Sequence, residues 1–364
     1  MKTLLVIDGD PANNWAAIFK GFPFDTPAGP QAIRVEQTAW DRFSIAEATS
    51  GGGCLVNIEP AEHAAVGTNQ KTRRSRVRVD FVLVRNYPRT LHNGDYRNVL
   101  HALAYSGVSS VNSLQSIYLA TERAMLYAAL NGLKRKLGPE QFPFIDSMFV
   151  PNVSNEEFEG RAFSRSPVSY PCIVKVGSSC AGYGKIKVED EGQMSDVRGI
   201  LMMNKEYFTV EPFHPSQYDV RLQYITGGVH RAYKRTVQGD GWKRNVGNVT
   251  CVPLELTPLY RTILEAAAGL FGGLDIVTVD LLHLDDGSEV ILEINDSASG
   301  FGDQHLDEDN RHVAQLVAGR IQAEFAAGYS AEDSAEARAA ALVDESEAAM
   351  KRAPPPFLAA LKKK

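Results

Sequence analysis

Two apolar segments separated by an Asp-Gly pair are the feature that most constrains the fold of this chain. The segments are Ile-Val-Thr-Val-Asp-Leu-Leu at 276–282 and Val-Ile-Leu-Glu-Ile-Asn at 290–295. Asp286-Gly287 between them is typical of a two-residue hairpin loop, which fixes the register of the strands that it joins. The pattern predicts an antiparallel hairpin over 276–295 in which Asp280 lies directly opposite Glu293.

Three oxygen-bearing side chains should meet on one face of this hairpin. Because side chains alternate along a strand, Asn295 projects on the same side as Glu293. Carboxylates directly opposite each other are destabilising, so we expect positive charge between Asp280 and Glu293. Two carboxylates and an amide oxygen suit Mg²⁺ or Ca²⁺. The pattern predicts a metal site formed by Asp280, Glu293 and Asn295; the alternative is that these side chains only face water.

A lysine interrupts an apolar strand pattern upstream of the hairpin. Segment 172–176 reads Cys-Ile-Val-Lys-Val, and burial of Lys175 is costly unless its ammonium reaches an anion such as phosphate. A run of small residues follows at 177–185, and the backbone N–H groups of such a loop can close over phosphates. Taken alone, the loop equally fits an ordinary turn. Together with Lys175 and the hairpin it predicts phosphate contacts by Ser179, Gly182, Gly184 and Lys185.

Segment 208–213, Phe-Thr-Val-Glu-Pro-Phe, is a strand pattern that ends in an acid and a proline. Free backbone groups at Pro212 and Phe213 could contact an adenine edge, and Glu211 could accept hydrogen bonds from ribose hydroxyls. The alternative is a plain strand exit. Further polar candidates follow downstream, namely Asp219, Arg221, Arg235, Lys243 and Asn245.

Among the downstream residues, Arg221 is the strongest candidate for a phosphate contact. Alternation along a strand puts it on one face with Asp219, and a planar guanidinium suits phosphate oxygens.

Length and composition limit the class of protein. A chain of 364 residues favours two or three packed lobes, and a net charge of -6 argues against a nucleic-acid binder. The four cysteines form no CxxC pair, which favours a reducing cytosol over a disulfide framework. The apolar run Leu4–Ile7 ends at Asp8, too early for a signal peptide or a membrane span.

The periodicity along the chain predicts an α/β protein with a parallel sheet in its amino-terminal lobe. We expect this lobe at 1–108, a second lobe at 109–328 and a flexible acidic, proline- and lysine-rich tail at 329–364. Arg76–Val79 alternates with a period of two and predicts a solvated edge strand. In the first lobe the expected elements are strands at 3–7, 35–45 and 81–84 and a helix at 15–20. In the second lobe they are helices at 112–137 and 258–271 and strands at 145–150, 172–176, 185–188, 206–210, 219–225 and 231–236.

These residues together resemble the ATP-grasp superfamily. In detail, the residue pattern over 2–325 is similar to the central ATP-binding domain of synapsins. The segments that carry the resemblance are Asp-Phe-Val-Leu-Val-Arg at 80–85, Asn-Ser-Leu-Gln-Ser-Ile-Tyr at 112–118, Gly-Tyr-Gly-Lys-Ile-Lys-Val-Glu at 182–189, Glu-Pro-Phe at 211–213 and Phe-Gly-Gly-Leu-Asp-Ile at 271–276.

The resemblance implies a pre-ATP-grasp lobe followed by an ATP-grasp fold of α+β type, with ATP and a divalent metal bound. Lys175 would hold the α- or β-phosphate, and Glu211 with its neighbours would contact adenosine. Arg123 stands where the family usually has a phosphate-binding lysine, which keeps the charge and changes the geometry. Lys243 and Asn245 match a Trp-Lys-x-Asn stretch of the family.

Two functions follow from the resemblance, and the sequence leaves both open. One is a cytosolic, synapsin-like ATP-binding protein that dimerises, associates peripherally with synaptic or secretory vesicles and regulates neurotransmitter release. The other is a carboxylate-amine ligase that works through an acyl phosphate, in which Arg221 and Arg235 would stabilise the transferring phosphoryl group. The complete set of Asp280, Glu293 and Asn295 favours the ligase. The alternative to both functions is a degenerate fold that binds no nucleotide, which would require Lys175 and the acidic hairpin to be unrelated.

Overall fold

A computed structural model describes residues 1–26, 29–50, 53–59, 75–90, 94–151, 169–178, 183–203, 206–237 and 249–325. The tail expected at 329–364 lies outside the described residues. Within the described part of the chain, no helix is long and apolar enough to cross a membrane.

The described residues of the first part of the chain form eleven strands and two helices, together with a short 3-10 turn at Trp40–Arg42. In chain order they are β1 (Lys2–Ile7), α1 (Trp15–Phe19), β2 (Phe24–Thr26), β3 (Gly29–Gln31), β4 (Ile33–Thr38), β5 (Phe43–Thr49), β6 (Gly53–Ile58), β7 (Ser75–Val79), β8 (Phe81–Val84), β9 (Arg89–Thr90), β10 (Gly94–Asp95), α2 (Arg97–Tyr105) and β11 (Ser109–Val111).

A four-stranded parallel sheet of order β11-β8-β1-β4 is the centre of this part. All six residues of β1 are buried, as expected for a strand that is covered on both faces. One face packs with α1 and with residues of a late helix, including Val313 and Val317. The other face packs against the antiparallel sheet β5-β6-β7 and helix α2.

The prediction of a solvated edge strand at Arg76–Val79 is confirmed. Strand β7 lies at the edge of its sheet, with Val77 and Val79 buried and Arg76 and Arg78 exposed. The single strand expected at 35–45 is wrong, because the 3-10 turn at Trp40–Arg42 separates β4 from β5.

The second part of the chain contains nine strands and five helices among the described residues, with 3-10 turns at Leu270–Gly272 and Asp303–His305. In chain order they are α3 (Leu114–Thr121), α4 (Arg123–Leu137), β12 (Met148–Val150), β13 (Cys172–Val176), β14 (Lys185–Val188), α5 (Glu191–Met203), β15 (Phe208–Pro212), β16 (Ser216–Ile225), β17 (Val229–Val237), β18 (Val249–Leu254), α6 (Pro258–Ala268), β19 (Ile276–Leu284), β20 (Glu289–Asn295) and α7 (Leu306–Phe325).

Two antiparallel sheets organise the second part. The smaller has the order β12-β15-β13-β14 and packs on α5 through Met194, Val197 and Leu201. The larger has the order β18-β17-β16-β19-β20 and packs on α4 and α6. The mixed α/β class and the amino-terminal parallel sheet predicted from the sequence are therefore confirmed.

The helix expected at 112–137 is two helices. Glu122 has φ -91° and ψ 101°, an extended conformation that ends α3 and begins α4. Helices α2, α5 and α7 and strand β18 did not emerge from the sequence patterns. The break at Glu122 determines the direction of α4, which carries two side chains of the site described next.

Candidate nucleotide and metal site

The hairpin formed by β19 and β20 has the predicted register at its functional end. Asp280 lies opposite Glu293, and Thr278 lies opposite Asn295. The prediction of a two-residue loop is wrong. Leu284 N–H donates to Ser288 O at 2.9 Å, and this hydrogen bond encloses a loop of three residues. Near the turn the register is shifted by one, and an irregularity between Asp280 and Leu281 leaves Leu292 without a partner in the ladder. This β-bulge restores the pairing of Asp280 with Glu293.

Two guanidinium groups surround the carboxylate of Asp280. Arg221, directly opposite on β16, donates from Nε to Oδ1 at 2.9 Å and from Nη2 to Oδ2 at 3.0 Å. Arg235 Nη2 lies 2.9 Å from Oδ1. Burial raises the pKa of Asp280, but the two arginines outweigh it and lower this pKa to about 2. The positive charge expected beside Asp280 is therefore supplied by Arg221 and Arg235.

Of the other two predicted metal ligands, Asn295 contacts the same carboxylate, and Glu293 lies opposite Asp280 on the neighbouring strand. Asn295 Nδ2 donates to Asp280 Oδ2 at 3.3 Å, and Tyr87 Oη donates to Asn295 Oδ1 at 3.1 Å. Glu293 faces Lys185 of the smaller sheet, with 3.7 Å between Oε2 and Nζ. The ammonium of Lys185 lowers the pKa of Glu293, so this carboxylate is ionised. The structure thus places all three predicted ligands at one end of the hairpin, with the amide nitrogen of Asn295 towards Asp280 and its oxygen towards Tyr87.

Lys175 already has an anionic partner in the protein. Its ammonium lies 2.6 Å from Glu211 Oε2, and the two side chains are only 5% and 2% exposed. Lys175 also donates to Tyr127 Oη at 3.0 Å. The inference that a phosphate is needed to compensate Lys175 is therefore wrong, because Glu211 on the adjacent strand provides the charge.

Tyr127 is a site residue that the sequence reasoning missed. Its hydroxyl lies 2.9 Å from Glu211 Oε1 on the smaller sheet and 3.3 Å from Leu292 O on the larger sheet. It stands one helical turn after Arg123 on α4, so the two side chains share a helix face. A search for polar residues at this spacing from Arg123 would have found it.

Arg123 lies at the start of the predicted phosphate loop. Its Nη1 donates to Gly177 O at 2.5 Å, and its backbone N–H donates to Ser178 Oγ at 3.1 Å. Gly177 and Gly184, at the two ends of the loop, have φ +51° and +62°, a region that favours glycine. Four other predicted contacts, Ser179, Gly182, Lys243 and Asn245, lie outside the described residues.

The remaining predicted residues lie around the same junction. Pro212 ends β15, Phe213 N–H donates to Pro171 O at 3.0 Å, and Lys187 Nζ lies 4.0 Å from the centre of the Phe213 ring. Asp219 is buried and lies opposite Arg235 in the register of β16 and β17. The charged side chains of the site thus come from both antiparallel sheets.

Sequence profiles match nearly the whole described chain. Residues 1–110 match the synapsin pre-ATP-grasp domain, and residues 112–323 match the domain described as "Synapsin, ATP binding domain". The chain belongs to the synapsin family. A synapsin of Drosophila melanogaster is 30% identical over 324 residues, which cover 88% of this chain and 30% of that protein. The chain thus spans about a third of the length of that synapsin.

Proteins named as synthases or synthetases are also similar to this synapsin-family chain. N-acetylaspartylglutamate synthase A of Homo sapiens is 25% identical over 236 residues, which cover 64% of this chain and 57% of that protein. The solved structure of D-cycloserine synthetase DcsG has a TM-score of 0.58 at 16% identity and covers 88% of this chain and 100% of its own. D-alanyl-alanine synthetase A from Vibrio cholerae has a TM-score of 0.58 at 12% identity, with 87% and 98% covered. These similarities confirm the predicted ATP-grasp fold.

Proposed function

We propose that the protein binds ATP with a divalent metal between the smaller and the larger antiparallel sheet. The observation that carries the proposal is the meeting of charged side chains from both sheets, where Lys185 of β14 faces Glu293 of β20 at 3.7 Å. Tyr127 lies across the same junction with contacts to both sheets. The synapsin-type ATP-binding domain matched by residues 112–323 supports this placement.

The charges at the hairpin favour entry of the metal together with the nucleotide. Arg221, Arg235 and Lys185 contribute three positive charges, and Asp280 and Glu293 contribute two negative charges, a formal sum of +1. A free divalent cation would raise this to +3 and meet three cationic neighbours. A metal carried by a polyphosphate brings net negative charge, which the arginines and Lys185 favour.

The donors present fit a hard cation. Carboxylate oxygens of Asp280 and Glu293 and the amide oxygen of Asn295 would hold Mg²⁺ or Ca²⁺, and both metals take such ligands. Bound there, the metal would neutralise charge on the nucleotide phosphates. Lys175, Lys185, Arg123 and the 177–185 loop would contact phosphates, and the strand end at Glu211–Phe213 would contact adenosine.

The first candidate function is that of a synapsin in the cytoplasm. Nucleotide binding would control dimerisation and peripheral attachment to synaptic or secretory vesicles, and this attachment would regulate neurotransmitter release. Family membership and the relation to the Drosophila melanogaster synapsin support it. Because the chain spans 30% of that relative, these properties are proposals for this chain.

The second candidate function is ATP-dependent ligation of a carboxylate and an amine. The complete set of Asp280, Glu293 and Asn295 favours it, as does the relation to N-acetylaspartylglutamate synthase A. A carboxylate oxygen would attack the γ-phosphorus and release ADP, and an amine would then displace phosphate from the acyl phosphate. Arg221 and Arg235 would stabilise the charge on the transferring phosphoryl group.

Calorimetry with the purified protein tests the site. ATP should bind with Mg²⁺ or Ca²⁺ and much more weakly with chelator, and either metal alone should give no heat of binding. Lys185→Gln and Glu293→Gln should each weaken metal-dependent binding by about tenfold, or about 1.4 kcal/mol. The matched controls are Lys136→Gln at an exposed position of α4 and Asp285→Asn in the exposed turn.

Either result of this titration is informative. Unchanged ATP affinity in Lys185→Gln and Glu293→Gln would place the nucleotide elsewhere, and metal binding without nucleotide would contradict the charge argument. Release of ADP from bound ATP only when a carboxylate and an amine are added would select the ligase over the synapsin-type binding protein.

A further inference from the structure

A cleft of about 590 Å³ opens at the carboxyl end of the parallel sheet, outside the charged junction described above. This volume lies within the range of roughly 300 to 1,000 Å³ that is usual for small-molecule sites. Its walls come from segments that follow β1, β4 and β8, and from Ala298 in the segment after β20. The cleft therefore lies where the amino-terminal sheet meets the end of the metal hairpin.

The cleft lies at the point where the strand order of the parallel sheet changes direction. The chain passes from β1 to β4 on one side and then returns to β8 on the other side of β1. Ligands of open parallel sheets bind at such points, outside the carboxyl ends of the strands. Gly9 follows β1 here, and a Cβ atom at this position would lie 3.1 Å from the Cβ of Ala39. The glycine allows the two segments to approach.

The polar groups at the floor of the cleft are already hydrogen-bonded to one another. The Asn86 side chain accepts a hydrogen bond from Gly9 N–H at 2.5 Å and donates to Arg85 O at 3.0 Å. Trp40 Nε1 donates to Asn86 O at 2.8 Å. These groups hold the cleft in shape and are not needed to bind a ligand.

The remaining chemistry of the walls is aromatic and anionic. The rings of Trp40 and Tyr96 are stacked, with centroids 6.2 Å apart and an interplanar angle of 11°. Asp41 is exposed and carries the only charge among the described residues that line the cleft. A carboxylate next to aromatic rings suits a cation that carries an apolar body.

Tyr87 connects the cleft to the hairpin through a side-chain hydrogen bond. Tyr87 lines the cleft and donates to Asn295 Oδ1 at 3.1 Å, and Asn295 Nδ2 donates to Asp280 Oδ2 at 3.3 Å. A change in the position of Tyr87 in the cleft therefore changes the contacts of a candidate metal ligand.

We propose that this cleft is a second small-molecule site for a ligand with a protonated amine on an apolar body, and that Tyr87 couples its occupancy to that of the hairpin site. The coupling rests on the proposed function, whereas the cleft and its ligand class do not. Coupling between two binding sites is reciprocal, so the amine and the nucleotide change each other's affinity by the same factor.

The ligand class is tested by titrating three probes of similar size into the protein. They are phenethylamine, its neutral N-acetyl derivative and the anion 3-phenylpropionate, followed by NMR at the indole N–H of Trp40, assigned by loss of the signal in Trp40→Phe. The amine should bind most tightly, and Asp41→Asn should weaken it by about fivefold while Glu47→Gln, an exposed acid on β5, leaves it unchanged. Equal binding of all three probes, no binding, or no effect of Asp41→Asn overturns the site.

The coupling is tested by repeating the phenethylamine titration with saturating MgADP. In the wild type the dissociation constant should change by at least about fivefold, and in Tyr87→Phe by less than twofold. An unchanged constant in the wild type, or the same change in Tyr87→Phe, overturns the coupling. MgADP binding is measured directly in each variant; if none occurs in the wild type, the proposed function and the coupling both fail, and the probe titration alone decides the cleft.

Discussion

Arg221 and Asp280 face each other across β16 and β19 and form two parallel hydrogen bonds of 2.9 and 3.0 Å. Arg235 adds a third contact to the same carboxylate. The Asp280 side chain is only 3% exposed. The stability of the larger sheet therefore depends on this carboxylate, in addition to any role that it has in binding a ligand.

Replacement of Asp280 by Asn should destabilise the protein strongly. It removes the counter-charge of Arg221 and Arg235 and leaves them in a largely buried environment, which typically costs about 3 kcal/mol or more. Urea denaturation should show this loss, with Asp285→Asn in the exposed turn within about 0.5 kcal/mol of the wild type. The double variant Asp280→Asn with Arg221→Gln should recover part of the lost stability. If Asp280→Asn were as stable as Asp285→Asn, the inference that Asp280 stabilises the sheet would be contradicted.

Asp296 should make the stability fall as the pH rises from 4 to 6. Burial raises the pKa of this carboxyl from its ordinary 3.8 to about 6. An acid with a raised folded pKa contributes stability that is present below the unfolded pKa and is lost as the pH passes the folded pKa. The Asp296→Asn variant keeps an oxygen for Ala298 N–H, which Asp296 Oδ1 accepts at 2.7 Å, and has no proton to lose.

The measurement is the free energy of unfolding of wild type and Asp296→Asn at several pH values. The variant should gain on the wild type by about 2 kcal/mol between pH 4 and pH 6, and the difference should be nearly flat from pH 6.5 to 8. Asp280 acts in the opposite direction at lower pH, since its pKa of about 2 removes stability only as the pH falls below 4. A constant difference from pH 4 to 6 would show that Asp296 is ionised throughout.

The local pattern of the hairpin predicted much of the candidate site. Alternation and the Asp-Gly turn placed Asp280 opposite Glu293, although two departures cancel to give this result: a longer turn and the extra residue Leu292. Turn length and bulges depend on the twist of the folded sheet, which the residue pattern of one strand does not determine. The correct register at Asp280 therefore came from an incorrect account of the turn.

The counter-charges were beyond what local sequence predicts. Arg221 is 59 residues from Asp280, and Tyr127 is 84 residues from Glu211, so each contact exists only after sheets and helices have packed. The sequence indicates that a buried Lys175 needs an anionic partner, and a phosphate was the predicted partner. Choosing Glu211 instead requires knowing that β13 and β15 are neighbours, which their order in the chain does not determine.

Replacement of Tyr127 by Phe should weaken the junction between the two sheets. The variant loses hydroxyl contacts to Lys175 and Glu211 and keeps the ring, which packs edge-on against Phe144 at 5.1 Å. Loss of buried hydrogen bonds typically costs about 1 to 3 kcal/mol. Thermal or urea unfolding measures it, with Tyr105→Phe, whose ring is 67% exposed, as the control expected to match the wild type. Wild-type stability in Tyr127→Phe would show that the hydroxyl contacts contribute nothing.

Replacement of Glu211 by Gln distinguishes two roles for this residue. The sequence predicted that Glu211 contacts the ribose, whereas the structure pairs it with Lys175 at 2.6 Å. Without nucleotide, the variant leaves the Lys175 ammonium buried without its anion, and we expect a loss of about 3 kcal/mol in urea. If Glu211 acts only as the counter-ion, phosphate can replace it, so MgATP should raise the melting temperature of the variant more than that of the wild type. A smaller rise in the variant would instead show that Glu211 contacts the nucleotide directly, because the variant would then have lost binding energy as well as stability.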